Sequence, residues 1–68
     1  MKLNQVFIGM EVVVENSADA IIYTVEEIAQ HGVLLTYTNK QGIKRNHGWL
    51  DVCYLEKPTE EQLNYEHN

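Results

Sequence analysis

The sequence predicts a small all-β domain: five short antiparallel strands closed into a barrel, with a short helical turn at the C-terminal end. Three observations lead there. Apolar and β-branched residues alternate with polar ones at period two over several short runs. Tight-turn signals separate those runs, and the four glycines stand apart, one per turn or strand end. The 68 residues suffice for one domain only, and closing its sheet would remove exposed strand edges.

The elements follow in order. Leu3, Val6, Phe7 and Ile8 form an irregular lead-in whose apolar side chains are expected to cover one end of the core. Gly9 permits the tight turn that launches the first strand. That strand covers residues 10–15, with Met10, Val12 and Val14 on one face and Glu11, Val13 and Glu15 on the other. A polar connector, residues 16–19, leads to a second strand over 20–28. Its alternation breaks at Glu26-Glu27, because Val25 and Ile28 are three apart; a bulge there lets both point inward. Helix is the competing assignment, but Ile-Ile-Tyr-Thr-Val is poor helix sequence. Residues 29–32 make a hairpin turn ending in Gly32, and 33–38 the third strand, with Val33, Leu35 and Tyr37 on one face. A second hairpin turn, 39–42, places Gly42 where a left-handed residue is wanted. The fourth strand covers 43–50. Residues 51–55 read as one helical turn leading into a fifth strand.

Pro58 ends the barrel, so residues 1–57 form the domain and 58–68 a short helical turn with a frayed tail. Thr59 and Gln62 have the spacing of a capping box, and Glu60 and Glu61 suit the positive end of a helix. Leu63 and Tyr65 are its candidates for docking. The expected core contains Val12, Val14, Val25, Ile28, Leu35, Leu50, Val52 and Leu55.

Composition narrows the function classes. Apolar residues are 44% and charged residues 22%, which excludes wholesale disorder. No apolar run approaches the roughly 18 residues of a membrane span. No secretory signal is visible, and the single Cys53 forms no intramolecular disulfide, so a cytoplasmic setting is expected. Five basic against ten acidic residues, net −5, disfavour wholesale binding to DNA or to anionic membranes. Yet residues 28–50 contain no acid and hold Lys40, Lys44 and Arg45, which predicts a mildly basic region on an acidic body.

Chemistry-bearing patterns are sparse. His31, His47, His67 and Cys53 show no metal-ligand spacing, and Cys53 reads as a small buried hydrophobe rather than a nucleophile served by His47. Glu26 and Glu27, adjacent in a strand, point to opposite faces and read as solvated surface. No cofactor and no catalytic constellation is expected. Trp49 is the residue of most interest. Strict alternation places Ile43, Arg45, His47 and Trp49 on one face, and Lys44, Asn46, Gly48 and Leu50 on the other. With the Leu50 face toward the core, Trp49 sits half exposed beside His47, Arg45 and Tyr54. The competing reading makes Trp49 the largest core residue.

Two segments resemble known domains. Phe7-Ile8-Gly9-Met10-Glu11-Val12 resembles the Gly-x-x-Val start of strand one in SH3-like and KOW-like domains. Gly48-Trp49-Leu50-Asp51-Val52-Cys53-Tyr54-Leu55 resembles the end of an SH3 domain, where a Gly-aromatic-aliphatic strand end is followed by a helical turn, a tyrosine and an aliphatic residue. The four-residue turn between strands three and four also favours SH3-like over OB-like topology. Asp51 stands where a proline is usual, Val52-Cys53 where Ser-Asn is usual, and the Ala-Leu-Tyr-Asp-Tyr motif is missing. The resemblance covers about half the chain and implies the fold more than proline-rich peptide binding. The layout is also similar to small uncharacterised proteins of phages and prophages, which implies an accessory role.

The leading expectation is a non-enzymatic protein-interaction module, a monomer or weak homo-oligomer. Its surface is centred on Trp49, Tyr54 and Tyr37, with an unidentified protein as partner. The alternative is a weak nucleic-acid module of KOW or Tudor type using the 40–49 hairpin, with Lys40, Lys44, Arg45, His47 and Trp49 as contacts. A small enzyme has the least support.

Overall fold

The computed structural model describes residues 1–65; the end of the expected frayed tail, with His67, lies outside the described residues. After a 3-10 turn at Leu3–Gln5 come β1 (Glu11–Val12), β2 (Tyr23–Ala29), β3 (Gly32–Thr38) and β4 (Lys44–Leu50). A 3-10 turn at Val52–Tyr54 and a helix α1 (Glu60–Asn64) follow. The strands form one antiparallel sheet in the order β1-β2-β3-β4.

Where a fifth strand was expected, the described residues show a single antiparallel bridge, Val13 to Glu56. Both of its hydrogen bonds are made: Val13 N–H donates to Glu56 O at 2.9 Å, and Glu56 N–H to Val13 O at 3.0 Å. Pro58 follows two residues later and has no N–H with which to extend a ladder.

The turns follow local chemistry. Ala29 pairs with Gly32, leaving a two-residue hairpin loop at Gln30-His31. In the second hairpin the Asn39 side chain accepts from Gln41 N–H and Ile43 N–H at 2.9 and 3.0 Å. Gly42 closes the loop at φ +78°.

Val12, Val25, Val33, Leu35 and Leu55 are fully buried, with Val6, Met10 and Tyr23 beside them. Tyr37, Leu50 and Val52 pack half-buried around this cluster. Two expected core residues are instead exposed. Val14 gives its place to Val13, because β1 ends at Val12 and Val13 then turns to pair with Glu56, so two successive valines bury. Ile28 shares the core face with its partner Val33, but it lies near the hairpin end of the sheet, where little covers it. The bulge that turns Ile28 inward is where the broken alternation put it: Val25 pairs with Leu35 and Glu27 with Leu34, leaving Glu26 as the extra residue.

Near the N-terminus only Val6 is buried. Phe7 and Ile8 are 62% and 67% exposed. They occupy a tight turn, closed by Met10 N–H donating to Phe7 O at 3.1 Å, with Gly9 at φ +90°. Ile8, at a central position of this turn, projects outward, and Phe7 at its first position is likewise exposed, away from the core end both were expected to cover.

At the C-terminal end the Thr59 hydroxyl accepts from Gln62 N–H at 3.1 Å. The Gln62 side chain in turn accepts from Thr59 N–H at 2.9 Å. Docking is polar rather than apolar. Leu63 and Tyr65 are exposed, while Gln62 is buried and its amide donates to Glu15 O and Ser17 O at 3.2 and 2.9 Å.

Candidate functional site

The surface around Trp49 is built by a second bulge. Tyr37 pairs with Arg45 and Thr36 with Asn46, but Leu35 pairs with Gly48, so His47 is an extra residue in β4. The Asn46 side chain accepts from Gly48 N–H at 2.8 Å and holds the bulge, with Gly48 at φ +102°. Cross-strand partners share a face, so the bulge resets the alternation. Gly48 and Leu50, opposite Leu35 and Val33, face the core. Trp49, opposite Leu34, faces outward together with Lys44 and Asn46, opposite Thr38 and Thr36. The grouping of Trp49 with Arg45 and His47 is thereby corrected: strict alternation does not survive the inserted residue.

On that outward face Trp49 is 46% exposed. Its ring leans on His31, centroid to centroid 4.8 Å and tilted by 44°. Beyond Leu34 the face becomes polar. The Thr36 hydroxyl donates to the Glu26 carboxylate at 3.0 Å, and Lys44 forms an ion pair with the same oxygen. The Lys44 ammonium, then the Thr36 hydroxyl, hold the Glu26 carboxyl below its ordinary range. Glu26 is thus half-buried and bonded rather than simply solvated, because the bulge turns it across the sheet toward β4. Glu26, Glu27, Lys44 and Arg45 line one shallow groove here.

The other expected site residues lie apart from Trp49. Tyr37 meets Tyr23 edge-on at 5.6 Å, and His47 lies over Tyr23 at 4.7 Å. Burial raises the Tyr23 hydroxyl above its ordinary range, and Tyr37 and Glu15 add to the effect. Tyr54 is exposed on the 3-10 turn, and among the described residues no ring contact joins it to Trp49. Lys40 is exposed in the hairpin turn. Arg45 opposes Tyr37 by register while lining the Glu26 groove. Lys44 and Arg45 therefore share the Glu26 groove, and Lys40 stands apart from them. His31, Leu34 and Glu26 were not foreseen as partners of this surface; only the broken alternation at Glu26 signalled a special position.

Cys53 is exposed, not buried, because the 3-10 turn directs it outward. Asp51 caps that turn by accepting from Cys53 N–H at 3.0 Å, and this bond holds the Asp51 carboxyl below its ordinary range. Partial desolvation, with the Asp51 carboxylate beside it, raises the Cys53 thiol, opposite to what a nucleophilic thiolate needs. Among the described residues no cluster of three or more His, Cys, Asp or Glu side chains could hold a metal ion, and no helix is long and apolar enough to cross a membrane.

Compared with known proteins, the chain matches no protein-family model, no curated protein and no solved structure.

Proposed function

We propose that this chain is a non-enzymatic protein-interaction module on an SH3-like barrel frame, and that the Trp49 face is its binding surface. One observation carries the reading: a half-exposed tryptophan lies beside Leu34 on an outward sheet face and is rimmed by Glu26, Thr36, Lys44 and Asn46. An apolar centre with a polar rim is the anatomy of a protein interface, and tryptophan is the residue most enriched at its energetic centre. The Val13–Glu56 bridge and the 3-10 turn after β4 support the barrel frame, since they bring the segment after that turn to the β1 end of the sheet. The sequence resemblance extends the proposal to a phage or prophage accessory role in a cytoplasm.

Charge supports a protein partner over a nucleic acid. The net charge is −5, and Lys44 is already engaged by Glu26. The test is capture from bacterial lysate by the immobilised full chain and by Trp49→Ala, each with and without nuclease. The proposal expects a discrete protein that survives nuclease and is lost with Trp49→Ala. Capture abolished by nuclease would favour the KOW- or Tudor-like alternative. Capture unaffected by Trp49→Ala would remove the proposed surface.

A further inference from the structure

A second surface lies on another part of the sheet. Pairing of β2 with β3 begins at Thr24–Thr36, whereas β3 runs on to Thr38 beside β4. Before Tyr23 the chain carrying Ile21 and Ile22 diverges from β3. The divergence opens a cleft of about 360 Å³ lined by Ile21, Ile22, Tyr37, Thr38, Asn39 and Lys40. Among the described residues no backbone hydrogen bond joins 21–22 to 37–38. Asn39 N–H donates to Ile43 O across the hairpin, so alternation turns the Tyr37 backbone toward β4 and the Thr38 backbone toward β2, where no paired residue stands beside it.

Charge distinguishes this cleft from the groove on the outward face. The outward groove balances Glu26 and Glu27 against Lys44 and Arg45. The cleft has Lys40 and no acid in its lining, and Lys40 forms no ion pair among the described residues. Its walls are apolar on one side, Ile21 and Ile22, and aromatic on the other, Tyr37. Apolar walls, unpaired strand backbone and one uncompensated cation fit one kind of occupant.

We propose that the cleft binds an extended segment of a partner protein in which an apolar side chain is flanked by aspartate or glutamate. The apolar side chain fills the space between Ile21, Ile22 and Tyr37. The segment's backbone pairs with the Thr38 N–H and C=O, as in strand addition to a sheet. The acidic side chain pairs with the Lys40 ammonium. This site goes beyond the Trp49 face and stands or falls separately.

The test selects binders to the folded full chain from a displayed library of random octapeptides. The most enriched sequence is then titrated, as a synthetic peptide, into the isotope-labelled chain. The expected result is enrichment of an apolar residue next to Asp or Glu, with amide shifts at Ile21, Ile22 and residues 37–40. Lys40→Glu should weaken that peptide by about tenfold or more, a loss of about 1.4 kcal/mol, while Lys40→Arg retains it. Lys40 is exposed in a turn, so both variants should melt like the parent. Ile21→Asp should abolish binding. A library without an apolar-acidic motif overturns the proposal. So do shifts confined to Trp49 and His31, or equal binding by Lys40→Glu. Loss of lysate capture with Trp49→Ala and loss of peptide binding with Lys40→Glu report the two surfaces independently.

Discussion

Trp49 stands across from Leu34 on the outward side of the sheet, and the extra residue His47 puts it there. Without the bulge, Trp49 would share a face with Arg45; with it, the indole leans on His31 and keeps 46% of its surface in solvent. The energetic consequence is direct. A buried tryptophan or leucine truncated to alanine costs about 2–5 kcal/mol. Trp49→Ala should cost clearly less than Leu35→Ala, whose side chain is fully buried. Denaturant melts of the two variants check the ranking. Iodide should quench the wild-type fluorescence, since Trp49 is the single tryptophan. Blue-shifted, unquenched emission, together with an unfolded Trp49→Ala, would place the residue in the core instead.

Much of the fold was legible because local rules agreed. Period-two runs located β2 and β3, the glycines located the turns and with them the start of β4, and Thr59 with Gln62 located the start of α1. The broken pattern at Glu26-Glu27 revealed one bulge because two core residues fell three apart. The bulge at His47 left no such mark. Its flanks are polar, so an inserted residue disturbs no apolar alternation, and every side chain before it was assigned to the wrong face relative to Trp49. Val13 was misplaced for a related reason: its burial depends on Glu56, a partner 43 positions away by numbering that no local period reports. The candidate site inherits both errors. Trp49 was legible as a residue, whereas its neighbours His31 and Leu34 were not.

Gly32 is expected to tolerate no side chain. Its φ is +146°, and a Cβ added there would stand 2.9 Å from the Leu50 carbonyl carbon and closer still to the oxygen. The neighbouring atoms are backbone of β4, which cannot step aside without breaking the β3–β4 ladder. Gly32→Ala should cost at least about 2 kcal/mol from strain and collision together. Gly42→Ala is the control: its φ is +78° but nothing lies within 4 Å, so only the backbone strain of about 1–2 kcal/mol applies. Thermal melts that rank Gly42→Ala below Gly32→Ala would contradict the close approach.

Gln62 joins the helix to the connector between β1 and β2. Its amide nitrogen donates to Glu15 O and Ser17 O, and its amide oxygen accepts from Thr59 N–H. Gln62→Glu keeps the oxygen for Thr59 but faces the two carbonyls with another acceptor. It should destabilise by about 1–3 kcal/mol, the cost of leaving buried groups unsatisfied. Leu63→Ala, at an exposed position, should change stability by less than about 0.5 kcal/mol. Denaturant melts test both. Equal losses would mean that α1 docks through Leu63 after all.

The Glu26–Lys44 pair predicts an acid-sensitive contribution to stability. The Glu26 carboxyl is held below its ordinary range first by the Lys44 ammonium and then by the Thr36 hydroxyl. Between the folded value and the unfolded value of about 4.3, the unfolded chain binds more protons than the folded one. Stability therefore rises with pH across that window and is lost as pH falls through the folded value. Asp51, lowered by the bond from Cys53 N–H, contributes with the same sign. Both members of the ion pair reach solvent, at 63% and 32% side-chain exposure, so added salt should shrink the effect. Glu26→Gln keeps an oxygen for Thr36 and removes the charge. Its melting temperature should fall less on acidification than the parent's, and the gap between the two should narrow as pH drops below about 4. Parallel curves for parent and variant through that window, at low salt, would show that Lys44 gains nothing from the Glu26 charge.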